Sequence, residues 1–225
     1  MNDLLNNPLS NTDSQSAVSA RKRLVVLVSG GGTNLQALID AIASGDLPAE
    51  IALVVSNKRD VYALTRAADA GIPTLTFPLK AYTKAGKSRE QYDADLAAQV
   101  AQAQPDLIVL AGWMHILSPA FLTHFPNRVI NLHPALPGMF AGIRAIERAF
   151  EAWQQGEITE SGCMVHYTIP EVDAGSVIAQ QVVPFMEGDT LEAYEARLHT
   201  AEHQLLVEAV GLALVSQDKT EIKNE

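Results

Sequence analysis

From Arg23 onward, short β-branched runs alternate with longer stretches of helical period, the pattern of βαβ units around a mostly parallel sheet. Strand 1 is Leu24 to Val28; a glycine-rich turn leads to a helix over about Asn34–Ala43. A second strand covers Ile51–Ser56, followed by a helix over Asp60–Ala70 that Gly71 ends, and a third strand covers Thr74–Phe77. The polar segment Lys80–Lys87, with Gly86 inside it, reads as a loop. Ser88 and Gln91 have capping-box spacing and predict a helix to about Gln104. Strands follow at Leu107–Ala111 and Val129–Leu132, then a loop at Pro134–Gly142 and a helix at Ile143–Gln155. Two more strands, Cys163–Ile169 and Val177–Val183, flank a turn with Pro170 and Gly175, and a last helix spans Leu191–Leu214.

The pattern predicts an α/β fold: a single domain with a mostly parallel, Rossmann-like sheet and helices on both faces. The 225 residues, 48% of them hydrophobic, suffice for one such core. Met1–Ala20 is rich in Asn and Ser, with neither an apolar secretory core nor the arginines of a transit peptide. Residues 1–22 are therefore expected to form a disordered tail, 23–215 the domain, and 216–225 a flexible C-terminal tail. A net charge of −10 gives no basic field for nucleic acid, which favours small-molecule partners. Cys163 is the one cysteine, and no apolar run approaches the ~20 residues of a membrane span, so the expected compartment is the cytoplasm.

In open α/β sheets ligands sit outside the carboxyl ends of the strands, where this sequence concentrates its unusual residues. Ser29-Gly30-Gly31-Gly32-Thr33-Asn34 joins strand 1 to a helix and can cradle an anion on its amides. A dinucleotide fingerprint would need glycine where Leu35 stands, and a Walker loop would need Gly-Lys-Ser/Thr. A single phosphate is left, the alternative being a tight turn that uses glycine only for backbone geometry. At the end of strand 5, Asn131 and His133 are two apart in an extended segment and face one side. An amide and an imidazolium there could stabilise an oxyanion, and the imidazole could move a proton. Asp173 is one candidate carboxylate to orient the histidine and favour its charged form; it is equally an ordinary turn residue.

Several spaced strings point further. Ser29 to Gln36, Ala111-Gly112-Trp113-Met114-His115-Ile116-Leu117-Ser118-Pro119, Ile130 to Pro134, Ser161 to His166, and Val172-Asp173-Ala174-Gly175 together resemble the phosphoribosylglycinamide formyltransferases, folate-dependent enzymes of purine synthesis. The resemblance covers Arg23 to Leu214 and implies the formyltransferase fold. It also implies glycinamide ribonucleotide and 10-formyltetrahydrofolate as substrates, with no metal, and leaves a homodimer open. By resemblance the ribonucleotide lies on Gly31, Gly32, Thr33 and Asn34 with Glu202, and the formyl donor on Arg89, Met114, His115, Ile116, Leu117 and Asn131. Asn131, His133 and Asp173 match the catalytic trio: Asn131 and protonated His133 would hold the oxyanion, while Asp173 holds His133 and helps relay the proton. His115 stands where members often carry arginine, and Ala135-Leu136-Pro137-Gly138 departs from the usual Ser-Leu-Leu-Pro.

Other readings compete. His199-Thr200-Ala201-Glu202-His203 fits the H-x-x-E-H pattern of a zinc helix, but no third ligand is evident. Cys163 and His166, three apart on a strand, face opposite ways and cannot pair as a thiol nucleophile. The related methionyl-tRNA formyltransferases add a C-terminal tRNA domain, whereas this chain is acidic and has 225 residues. A non-catalytic binding module and hydrolysis of the donor by water are the remaining alternatives.

Overall fold

A computed structural model describes residues 21–222, with side chains to 217. The elements run β1 (Lys22–Val28), α1 (Thr33–Ser44), β2 (Ala49–Ser56), α2 (Tyr62–Asp69), β3 (Thr74–Thr76), α3 (Leu79–Lys84) and α4 (Arg89–Ala101). They continue with β4 (Leu107–Leu110), α5 (Pro119–Leu122), β5 (Val129–His133), α6 (Ala145–Gln154), β6 (Glu160–Tyr167), β7 (Val177–Pro184) and α7 (Leu191–Ile222). One seven-stranded sheet has the order β3-β2-β1-β4-β5-β6-β7, parallel through β5 and antiparallel at β6 and β7.

The near-continuous apolar run of β1 has a direct cause: both faces of the sheet are covered. Leu24, Val26 and Val28 pack with α1, α2, α6 and α7, while Val25 and Leu27 pack with α3, α4 and α5. The strand order reverses direction between β1 and β4, so the crevice outside their carboxyl ends is the switch point of the sheet.

Three elements differ from expectation. Lys80–Lys87 does not form a plain loop, because Leu79–Lys84 is a short helix. Its Tyr82 packs against Phe77 and edge-on to Tyr92, contacts that polar composition conceals. Pro119–Leu122 adds a turn of helix started by its proline. The last helix continues from Leu214 to Ile222, so the backbone is helical over much of the segment expected as a C-terminal tail. The expected N-terminal tail lies, over residues 1–20, outside the described residues. Among the described residues no helix is long and apolar enough to cross a membrane.

Candidate active site

The glycine turn follows β1, Gly112 to Ser118 follows β4, and Asn131 and His133 end β5, so neighbouring strands deliver all three to one edge. Two cavities lie there. One, of about 230 Å³, is walled by Ser29 to Asn34 with Ala111, Gly112 and Met114. The other, of about 240 Å³, is walled by Gly112 to Leu117, by Asn131 and His133, and by His166 and Asp173. Gly112 and Met114 belong to both walls, so the cavities adjoin. Ser29 fixes that shared boundary, its buried hydroxyl accepting a hydrogen bond from the Met114 amide at 2.9 Å.

At the turn, Gly32 is the N-cap of α1 in the left-handed conformation, with φ +74°, and no side chain caps the helix. The first amides of α1 are left without intrahelical partners, a ready site for an anion. Glycine is required here for space as well as for φ, since a Cβ on Gly32 would lie 2.6 Å from that of Ala63.

Asn131, His133 and Asp173, expected together, are together, and Asp173 is the hub. Its Oδ2 lies 3.3 Å from His133 Nδ1 and accepts the Gly142 amide at 2.8 Å, while its Oδ1 accepts from Asn131 Nδ2 at 3.2 Å. Asp173 holds this position with φ +52°, a strained backbone for a non-glycine residue. Burial alone would raise its carboxyl pKa; the neighbouring His166 imidazole and the Gly142 amide, with His133 beside them, outweigh burial and hold it below the usual range. The carboxylate is therefore ionised at neutral pH.

The resting state of His133 is set by burial as well as by its carboxylate. Burial pushes its imidazole below the ordinary histidine value, with Asp173 raising it and His166 lowering it again, so it rests neutral rather than protonated. Its Nδ1 faces the carboxylate, and its buried Nε2 has no hydrogen-bond partner among the described residues. An imidazole held this way by a carboxylate presents Nε2 as a base. If Nε2 acts as that base, kcat/KM is expected to rise with pH through a midpoint below ~6.5, as the imidazole loses its proton. A profile in which activity is lost as pH rises through ~6.5 would require the imidazolium instead and contradict this assignment. The stability sign agrees: a depressed histidine favours the fold fully above its unfolded value of ~6.5, and that contribution is lost as pH falls below it.

The sequence did not assign His166 to this cluster. It is 2% exposed, opposite Asn131 in the antiparallel register, with Nε2 3.2 Å from Asn131 Nδ2 and 3.5 Å from Asp173 Oδ1. Its Nδ1 donates to the Tyr167 carbonyl at 2.9 Å, which turns Nε2 towards the Asn131 amide. No signal local to Ser161–His166 reveals this, because it depends on the pairing of β5 with β6.

Met114, His115, Ile116 and Leu117 line the larger cavity as expected, but Arg89 stands behind them. Arg89 hydrogen-bonds the Ile116 carbonyl and, through Nε, Asp93 Oδ1 at 3.0 Å; Asp93 Oδ2 accepts the Ser118 amide at 2.9 Å. The fully buried Asp93 thus clamps this loop to α4. His115 lies 3.0 Å from Asn57 Nδ2 through Nε2, and burial followed by Arg89 lowers its pKa. Glu202 walls neither cavity; it is buried on α7 with His199 Nδ1 2.8 Å away. That contact occupies two residues of the H-x-x-E-H pattern with each other, and among the described residues no group of three His, Cys, Asp or Glu side chains is placed to hold a metal ion. Cys163 is buried in the core with its thiol pushed up to about 12 by burial, which suits packing and not nucleophilic attack.

Comparison with known proteins identifies the family. Residues 22–210 match the formyl transferase family model. Phosphoribosylglycinamide formyltransferase of Schizosaccharomyces pombe is 52% identical over 195 residues, covering 83% of this chain and 94% of the relative. The enzyme of that name from Escherichia coli is 41% identical over 182 residues, 81% of this chain and 82% of the relative. Among solved structures, glycinamide ribonucleotide transformylase 1 from Symbiobacterium toebii superposes with a TM-score of 0.81 at 39% identity, covering 87% of this chain and 89% of that one. The chain belongs to the formyl transferase family, alongside its phosphoribosylglycinamide formyltransferases.

Proposed function

We propose that the chain transfers the formyl group of 10-formyltetrahydrofolate to the amine of glycinamide ribonucleotide, giving the formylated ribonucleotide and tetrahydrofolate, a step of purine biosynthesis. The observation that carries this reading is the junction of the two cavities, with the unpartnered Nε2 of His133 in the wall of the larger one. The glycine cavity suits the ribonucleotide's phosphate. The larger cavity, with Met114, Ile116 and Ile143 on its rim, suits the flat pterin and the formyl group it delivers.

In this reading the substrate amine attacks the formyl carbon directly, without an acyl-enzyme. Neutral His133 takes the proton the amine sheds; the resulting imidazolium, paired with Asp173, then faces the oxyanion of the tetrahedral adduct. The Asn131 amide, shared at rest between Asp173 and His166, gains a stronger acceptor once that oxygen becomes charged. Collapse breaks the bond from the formyl carbon to the folate nitrogen, and His133 returns its proton to that nitrogen.

His133→Ala separates this reading from a binding module. The expected outcome is a fall in kcat of roughly 10²–10⁴-fold, with calorimetric affinities for both substrates within a few-fold of the parent. A variant with full transfer would leave the site without its proton carrier and overturn the reading.

A further inference from the structure

The amides of the glycine turn take their direction from outside the turn. Ala63 N, in the first turn of α2, donates to the Gly30 carbonyl at 3.2 Å, and Arg66 Nε, one turn later, donates to the Gly31 carbonyl at 2.9 Å. In a planar trans peptide the C=O and the following N–H point in opposite directions. Drawing these two carbonyls towards α2 therefore turns the N–H groups of Gly31 and Gly32 away from it. The cavity at the turn lies on that other side, because none of its lining residues belongs to α2.

Arg66 is held firmly enough to set this geometry. Its Nη1 donates to Gln36 Oε1 on α1 at 3.0 Å, and its guanidinium lies 4.7 Å from the centre of the Tyr62 ring. The built Cβ of Gly32 lies 3.5 Å from Arg66 Cδ, so the side chain packs directly behind the turn. The residues that line the cavity include no lysine or arginine, although a phosphate monoester brings close to two negative charges.

The geometry points to Arg66 as the positioning residue of the phosphate site. It holds the turn with two amides aimed at a phosphate monoester and supplies, from behind the backbone, positive charge that the cavity wall lacks. The inference rests on the reading of the turn as the acceptor's phosphate site. It adds a residue that touches no substrate and yet sets the preference for a phosphorylated one.

The test is Arg66→Met, which keeps the apolar stem and removes the donors and the charge. It is assayed with glycinamide ribonucleotide, with the dephosphorylated glycinamide riboside, and with inorganic phosphate as competitor. The preference in kcat/KM for the phosphorylated acceptor is expected to fall about tenfold, and the Ki of inorganic phosphate to rise by a similar factor. The kcat at saturation and the KM of the formyl donor should stay within about twofold, which also shows that the variant folds. Arg66→Lys keeps the cation but not the two-pronged hold on Gly31 and Gln36, and should restore only part of the preference. An unchanged preference, an equal loss against both acceptors, or full restoration by lysine would overturn the positioning role. A parent enzyme with no preference for the phosphorylated acceptor would instead overturn the phosphate reading of the turn.

Discussion

Asp173→Asn is expected to lower kcat by roughly 10²–10⁴-fold while leaving both substrates bound with near-parent affinity. The carboxylate receives donors from three directions, at Gly142, Asn131 and His133. An asparagine has one oxygen and one NH₂, so whichever way it turns, a donor faces a donor. The charge that raises the His133 pKa against burial is lost as well, and the imidazolium formed during transfer loses its counter-charge. The rise of residual activity with pH should therefore be displaced to still lower pH. The cavity walls contributed by Met114 to Leu117 and by the glycine turn are untouched, which is why affinity survives. Steady-state kinetics with calorimetry checks both halves of the expectation. A near-normal rate would remove Asp173 from the mechanism.

Gly175→Ala should be nearly as damaging, by a different route. A Cβ at this position would sit 1.7 Å from the Tyr167 carbonyl oxygen, an overlap no rotation of a side chain can relieve because the obstacle is backbone. The turn would have to lift off the end of β6. Tyr167 N would lose its bond to the Ser176 carbonyl, 2.9 Å in the parent, and Asp173, two residues earlier, would move with it. A loss of about 3 kcal/mol in stability is expected, at the upper end for overpacking. Because an error of ~1 Å in a catalytic group can cost ~10²-fold, the folded fraction should also be slow. Thermal unfolding and kcat per folded molecule separate the two effects. Parent-like values of both would show that the turn yields without carrying Asp173.

The parts legible in the sequence are those whose cause is local. The apolar run of β1, the turn glycines and the Ser88/Gln91 pair all declare themselves within a few residues, and both hydrogen bonds of that capping box form. Asn131 and His133 were readable as a pair because residues two apart on a strand share a side. Asp173 needed the family resemblance, since an aspartate before Ala-Gly looks like any turn residue.

What could not be read depends on contacts between distant segments. His166 enters the cluster through the register of β6 on β5, and Arg66 reaches the glycine turn from another helix. Asp93 is spaced four residues from Arg89, which suggests an exposed helical pair, yet it is buried to hold Ser118. The resting charge of His133 could not be read either, because it is set by burial acting against Asp173. A carboxylate beside a histidine suggests an imidazolium only until desolvation is weighed.

The most direct test follows the formyl carbon itself. Donor labelled with ¹³C in the formyl group is mixed with the protein and glycinamide ribonucleotide, and the label is tracked by NMR. Transfer at this site predicts that the label appears on the glycinamide nitrogen in step with tetrahydrofolate release, and that donor turnover all but stops when the ribonucleotide is left out. Label released as formate, at a rate indifferent to the ribonucleotide, would contradict it.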